Sequence, residues 1–126
     1  MTLILDMNPM AKPRMTHADK WKKRFVVLRY RAFCDEIRLR LPRDFDFNNC
    51  AITFVVPMPK SWSKKKKDLM NNQPHTQTPD LDNFLKALFD AHMSDDSGIH
   101  TLDRVRKVWG LTGQIRLSQN IGKSFL

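Results

Sequence analysis

The pattern of hydrophobic and polar positions predicts two helices. From Lys20 to Leu41 the chain has no Gly or Pro, and apolar side chains recur every three or four positions, as on one face of a long helix. These side chains are Val26, Tyr30, Phe33, Ile37 and Leu41. A second helix of about three turns is predicted by the stripe Leu81, Phe84, Leu85, Leu88 and Phe89. Asp80 or Asp82 is expected to cap this helix.

Four strands are predicted where alternation or β-branched residues replace the helical period. The first covers residues 1–7, and the second is the run CAITFVVPM. One side of the second strand is expected to carry Cys50, Ile52, Phe54 and Val56. The segments IHTLDRVRKVWG and GQIRLSQ predict the last two strands, joined by LTG as a hairpin connection. Residues 60–79 show no sustained period and are predicted to form a long polar loop, which in a compact domain is usually functional or mobile.

The order β-α-β-α-β-β predicts an α/β fold, in which two helices pack on a mixed four-stranded sheet. A length of 126 residues with 41% hydrophobic residues favours a single domain over residues 1–126. Cys34 and Cys50 lack the CxxC spacing of a zinc site and form no disulfide framework, so both are expected to be buried thiols. No segment has the length of a signal peptide or a transmembrane helix, which predicts a cytoplasmic protein.

The charge of the chain predicts a polyanionic partner. Lys and Arg number 22 against 13 acidic residues, for a formal net charge of +9. Clustered basic charge attracts phosphate backbones, so nucleic acid is the leading candidate. An anionic membrane surface is the alternative, but the sequence contains no lipidation signal that would support it.

Against this basic background, the segment TPDLDNFLKALFDAHMSDD concentrates five aspartates and one lysine. Asp80 and Asp82 share a side if the chain is extended there, and Asp95 and Asp96 return after the helix. Clustered carboxylates repel one another unless a cation neutralises them, which points to a hard divalent metal such as Mg²⁺. In a basic protein, this combination favours metal-dependent phosphodiester cleavage, with Lys86 stabilising the transition state. The alternative is an ordinary helix cap followed by an ordinary turn.

The segments PDLDNFLKALFDA and DDSGI together resemble the signature of the RusA family of Holliday junction resolvases, which are endodeoxyribonucleases of bacteria and phages. AKPRMT, MPKSWSKKKK, QPHTQTPD and RKVWGLTGQIRL resemble further parts of the same family. The resemblance implies that Asp80, Asp82 and Asp96 are metal-binding catalytic carboxylates and that Lys86 is the catalytic lysine. Asp95 would be an accessory acidic neighbour.

The resemblance also implies a homodimer that binds a four-way junction and makes paired, symmetric nicks, using Mg²⁺ or Mn²⁺, in a bacterial cell or phage-infected host. Basic residues around the acidic segment are expected to contact the DNA backbone, although the lysine run could be only a solvated loop. The expected contacts are Lys12, Arg14, Lys60, Lys64, Lys65, Lys66, Lys67, His75 and Lys107. Trp62 is expected to stack on a base or cover the site, and Trp109 to pack in the core. The alternative function is a non-catalytic basic protein that grips branched DNA.

Overall fold

The computed structural model describes residues 2–13, 25–93 and 96–119. The first predicted helix is therefore described only from Phe25 onward, and Arg14 and Asp95 lie outside the described residues. The elements in chain order are β1 (Thr2–Leu5), α1 (Phe25–Arg40), β2 (Cys50–Pro57), α2 (Lys64–Met70), α3 (Leu81–His92), β3 (Leu102–Gly110) and β4 (Gln114–Gln119). The α/β class and the mixed four-stranded sheet are confirmed, but the described helices number three instead of two. None of these helices is long and apolar enough to cross a membrane.

The described residues group into two compact units, one containing the strands with α2 and the other containing α1 and α3. The strand order in the sheet is β1-β4-β2-β3, with β2 parallel to β3 and antiparallel to β4. The predicted hairpin between β3 and β4 is therefore wrong, because these strands lie on opposite sides of β2. β2 has buried side chains on both faces, and a central position in the sheet suits such a strand.

Alternation along the strands follows the prediction on one face of the sheet. Cys50, Ile52 and Phe54 are buried as expected, whereas Val56 is only half-buried. On β4 the predicted alternation is also confirmed, since Ile115 is 0% exposed and Leu117 is 1% exposed. The alternation of apolar and polar residues along the sequence was therefore sufficient to predict these buried positions of the sheet.

The predicted structureless loop over residues 60–79 contains a helix, α2, and that prediction is wrong. Ser63 caps α2, since its hydroxyl oxygen accepts a hydrogen bond of 3.2 Å from the backbone N–H of Lys66. The helix ends before Asn72, whose φ of 66° lies in the left-handed region that Asn tolerates. α2 buries no side chain, so it has no apolar stripe that a periodicity search could detect.

The residues after α2 run along the outer edge of β3. The backbone N–H of Asn72 donates to the carbonyl oxygen of Trp109 at 2.9 Å, and the N–H of Trp109 donates to Gln73 at 2.9 Å. The N–H of His75 donates to the carbonyl oxygen of Lys107 at 3.0 Å. These bonds cover part of the edge of β3 and tie the segment to the sheet.

In the helical unit, α1 and α3 pack against each other. α1 buries Val27, which is 1% exposed, instead of the predicted Val26, which is 37% exposed. Adjacent helical residues point about 100° apart, so a stripe misplaced by one residue exposes the wrong side chain. The other predicted α1 positions are buried, namely Tyr30, Phe33, Ile37 and Leu41. On α3, Phe84, Leu88 and Phe89 are buried as predicted, whereas Leu81 and Leu85 are half-buried and two alanines complete the buried face.

Candidate active site

Asp80 and Asp82 lie at the start of α3. Asp80 occupies the N-cap position with extended φ and ψ of −68° and 152°, but its carboxylate makes no capping hydrogen bond. Its carbonyl oxygen instead accepts from the backbone N–H groups of Asn83 and Phe84, at 3.1 and 3.3 Å. Asp82 lies in the first turn, where the helix dipole favours negative charge. Both residues are exposed, so both carboxylates are accessible to a ligand.

The exposed side of α3 carries alternating charge. Asp82, Lys86 and Asp90 are all exposed and follow one another at intervals of four residues. Side chains at this spacing lie on the same face of a helix. The three charged side chains therefore form a row on the exposed face of α3, away from its buried residues.

A cavity of about 640 Å³ brings part of the predicted set together. Its lining includes Lys86 from α3 and Asp96 from the segment that follows α3. Asp80 and Asp82 are not among its described lining residues. Within the described ranges, no group of three or more His, Cys, Asp or Glu side chains is arranged to hold a metal ion. The structure thus gathers the predicted lysine with one predicted carboxylate.

Lys12 lies against α3 through two contacts. Its Nζ donates to Oδ2 of Asp90 at 2.6 Å, and its backbone N–H donates to the carbonyl oxygen of Asn83 at 3.4 Å. Lys12, Asn83 and Asp90 line the same cavity as Lys86. This ion pair is not predictable from the sequence, because nothing in a single sequence links positions 78 residues apart. Lys12 is among the predicted DNA contacts, whereas Asn83 is not among the predicted site residues.

A second cavity, of about 550 Å³, also borders Lys12 and Asp90 and is lined by Tyr30 and Cys34 of α1. Burial raises the pKa of the Tyr30 phenol above its ordinary value of 10.0. Burial likewise raises the pKa of the Cys34 thiol. Both groups are therefore protonated near neutral pH, so neither is suited to act as a nucleophile.

The second cysteine is also a buried thiol. Burial raises the pKa of Cys50 to about 11, and both cysteines are free and buried, as predicted. Neither cysteine therefore offers reactive chemistry or a metal ligand in its present state.

The predicted DNA-contacting lysines in the unit that contains the strands and α2 differ in their exposure and in their contacts with other protein groups. Lys60 and the first three lysines of α2 are exposed, and Lys67 is half-buried. The Nζ atom of Lys66 lies 4.2 Å from the centroid of the Trp62 ring, a cation-π contact. Lys107 is half-buried, and its Nζ donates to the carbonyl oxygen of Gln77 at 2.6 Å. Lys60, Lys64 and Lys65 are thus the most available of these lysines to a phosphate backbone.

His75 was expected at a phosphate, but its side chain is buried. The residue is 4% exposed, and its ring centroid lies 4.3 Å from that of Trp109. Burial, followed by the charge of Lys107, lowers the pKa of His75. Its Nδ1 is a buried atom without a hydrogen-bond partner among the described residues. A direct phosphate contact would require the ring to leave this position.

The two described tryptophans pack on each other. The ring centroids of Trp62 and Trp109 are 4.9 Å apart, with the planes tilted by 55°. Trp109 is 4% exposed, which confirms its predicted packing role. Trp62 is half-buried and lies between this ring and the ammonium group of Lys66. Trp62 is therefore already in contact with Trp109 and Lys66, and its role in stacking on a base or covering the site stays a prediction.

Comparison with known proteins identifies the family. The family model of endodeoxyribonuclease RusA matches residues 6–118. The matched range contains Asp80, Asp82, Lys86 and Asp96. No curated protein and no solved structure shows significant similarity to the chain. Because the family match spans most of the 126 residues, the protein belongs to the RusA family of endodeoxyribonucleases.

Proposed function

We propose that the protein is a structure-selective endodeoxyribonuclease that resolves Holliday junctions by paired, symmetric nicks. The observation that carries this proposal is the family match over residues 6–118, which includes the acidic segment and Lys86. The shared cavity of Lys86 and Asp96 supports it. The proposed setting is DNA recombination, repair or phage DNA processing in the cytoplasm of a bacterial cell or phage-infected host.

We further propose that catalysis uses a divalent cation, Mg²⁺ or Mn²⁺, held by Asp80, Asp82 and Asp96. This donor set fits such an ion in kind, because carboxylate oxygens are the ligands that hard cations prefer and all three residues are exposed. The carboxylate of Asp80 is also not committed to capping the helix. When bound, the ion supplies charge neutralisation at the phosphate and a lower pKa for the attacking water. Like charges repel at short range, so the three carboxylates are expected to stay apart until a cation binds between them. Their separation in the described part of the chain agrees with this proposal.

Lys86 is the group of this chain proposed to act on the reacting phosphate. Its ammonium group forms no ion pair with a carboxylate among the described residues. Water attacks the phosphorus atom, the bond to the 3′ oxygen breaks, and that oxygen takes up a proton. Lys86 would stabilise the negative charge that grows on the phosphate and the leaving oxygen. Lys12, by contrast, already has its charge balanced by Asp90.

Two cuts in a symmetric junction require two active sites, so we propose a homodimer with twofold symmetry. Each copy would use residues 1–126 as a single nuclease domain, in agreement with the extent of the family match. The α2 lysines and the other predicted basic residues would hold the DNA arms through their phosphates. A measurement of the mass in solution tests the dimer directly.

The decisive experiment incubates the pure protein with a synthetic four-way junction and Mg²⁺ or Mn²⁺, with a linear duplex of the same sequence as the comparison substrate. Wild type should nick the junction, and Asp82→Asn should bind it without nicking. Asp68→Asn is the matched control, since Asp68 is an exposed carboxylate on α2. If wild type binds without nicking, or Asp82→Asn nicks as fast as wild type, the enzymatic proposal fails and the non-catalytic binding protein remains.

A further inference from the structure

One face of the sheet carries three arginines. Arg106 of β3 and Arg116 of β4 both lie opposite Thr53 of β2, on either side of it. Arg104, two residues before Arg106, lies opposite Ala51. Directly paired residues, and residues two apart on one strand, share a face of a sheet. Arg104, Arg106 and Arg116 therefore project from the same side, which we call the arginine face.

The arginine face borders a cavity that is lined mainly by polar and charged residues. Its volume is about 370 Å³, and the three arginines line it. Hydroxyl-bearing residues of three strands line it as well, namely Thr2, Thr53 and Ser118. The surface thus combines guanidinium groups with hydroxyl groups, which are both common donors to phosphate oxygens.

The positive charge of these arginines is not neutralised by neighbouring carboxylates. Arg106 Nε donates to the hydroxyl oxygen of Thr53 at 3.2 Å, and Arg116 Nε donates to the amide oxygen of Gln114 at 3.0 Å. Both acceptors are neutral, so they orient each guanidinium while its terminal nitrogens keep their charge and donors. In the described part of the chain, none of the three arginines forms an ion pair.

The balance of charge on this face favours one kind of partner. Asp103 is the one acidic residue among the described residues that line the cavity, against three arginines. A second copy of this chain placed face to face would bring like charges together, which opposes association. A phosphate backbone has the complementary charge. Arg104 and Arg106 lie about 7 Å apart along the strand, and Arg116 lies about 10 Å from Arg106 across β2, so the face can contact more than one phosphate.

Lys107 provides a contrast within β3. It lies opposite Phe54, on the other face of the sheet, and its ammonium group already donates to Gln77. Lys107 is among the predicted DNA contacts, whereas Arg104 and Arg106 of the same strand are not. Alternation along β3 separates them, so the residues with available charge are Arg104 and Arg106.

We propose that the arginine face binds the phosphate backbone of a duplex arm of the branched DNA substrate. The inference rests on the proposed function for the identity of this partner, and it adds a binding surface on the sheet to that function. Phosphate contacts carry no sequence information, so the face should position the DNA equally well for any sequence.

The test compares two triple variants for binding to a four-way junction in EDTA, where no cleavage occurs, over a series of salt concentrations. The first replaces Arg104, Arg106 and Arg116 by Gln. The matched control replaces Arg29, Arg40 and Arg43 by Gln, which removes the same charge from exposed positions outside this face. The first variant should weaken binding and lower the slope of log K against log salt by about 2 to 3, since each phosphate contact contributes about 0.9. The control should leave the slope near that of wild type.

The inference is overturned if the first variant keeps the wild-type affinity and slope, or if the control loses as much as the first variant, because net charge alone would then explain the loss. Arg104→Glu is a second variant for use if the triple variant misfolds, as judged by circular dichroism. Its expected effect is weaker binding and a slope reduced by about 1. Failure of this inference alone leaves wild-type binding and nicking intact. If wild type neither binds nor nicks the junction, the proposed function fails, and the inference fails with it.

Discussion

Lys12 and Asp90 form an ion pair of 2.6 Å although they are 78 positions apart in the sequence. Both side chains line the cavity that contains Lys86 and Asp96. Asp90 therefore differs from the other aspartates of its segment, because the ammonium group of Lys12 already balances its negative charge. The positive charge at the cavity that remains without a carboxylate partner among the described residues is that of Lys86.

The first prediction concerns Asp90. Asp90→Asn should leave junction nicking within a few-fold of wild type and lower the free energy of unfolding by less than about 1 kcal/mol, because the ion pair is partly exposed. Single-turnover nicking and urea unfolding measure the two effects. Asp35→Asn is the matched control, since Asp35 is an exposed acid that pairs with Arg38 at 3.4 Å. Loss of nicking as complete as in Asp82→Asn would instead make Asp90 part of the metal-binding set.

The second prediction separates chemistry from DNA binding. Lys86→Met should reduce the single-turnover nicking rate at saturating protein by about 10² to 10³-fold, because it removes a positive charge from the transition state. Lys86→Arg should restore part of that rate. Lys65→Met, on exposed α2, should weaken junction binding and leave the saturated rate unchanged. If Lys86→Met affects only the binding constant, Lys86 is a phosphate contact and not a catalytic residue.

The third prediction concerns stability and pH. Burial and Lys107 lower the pKa of His75 below its ordinary value of 6.5, so the unfolded state takes up the proton first as the pH falls. The contribution of His75 to stability is therefore fully present above pH 6.5 and is lost as the pH falls from there toward the folded-state pKa. His75→Gln should reduce the loss of unfolding free energy between about pH 7.5 and pH 5.5.

Urea unfolding at the two pH values measures this difference. His100→Gln is the control, since His100 is exposed. An equal pH dependence in wild type and His75→Gln would contradict the assignment, and it would do so whatever the absolute stability of the variant.

The fourth prediction concerns the turn between β3 and β4. A Cβ at Gly113 would collide with the side chain of Asn8 and lie 2.7 Å from its Cα, which is backbone and cannot easily move. Gly113→Ala should therefore destabilise the protein by about 1 to 3 kcal/mol. Gly98→Ala is the matched control, because a Cβ at Gly98 would meet nothing within 4 Å. Thermal unfolding compares the two, and equal melting temperatures would show that the turn adapts to the extra atom.

The sequence by itself determined the type and approximate place of the main elements. Period two identified Ile115 on β4, and the helical period identified Phe84 and Leu88 on α3, because burial selects apolar residues at the repeat of the element. It did not predict α2, which buries nothing and is specified by the cap at Ser63. The predicted pairing of β3 with β4 was wrong. Strands that are adjacent along the chain usually form a hairpin, but here β2, which has buried side chains on both faces, lies between them.

For the candidate site, the local motif was sufficient to select Asp82 and Lys86, since residues four apart on a helix share a face regardless of the rest of the chain. The tertiary structure alone decided what surrounds them. It placed Asp96 at the cavity of Lys86 and paired Lys12 with Asp90. It also aligned the arginine face across two strands that both flank β2. Such contacts depend on where distant segments meet in space, and the period of a single segment carries no information about that.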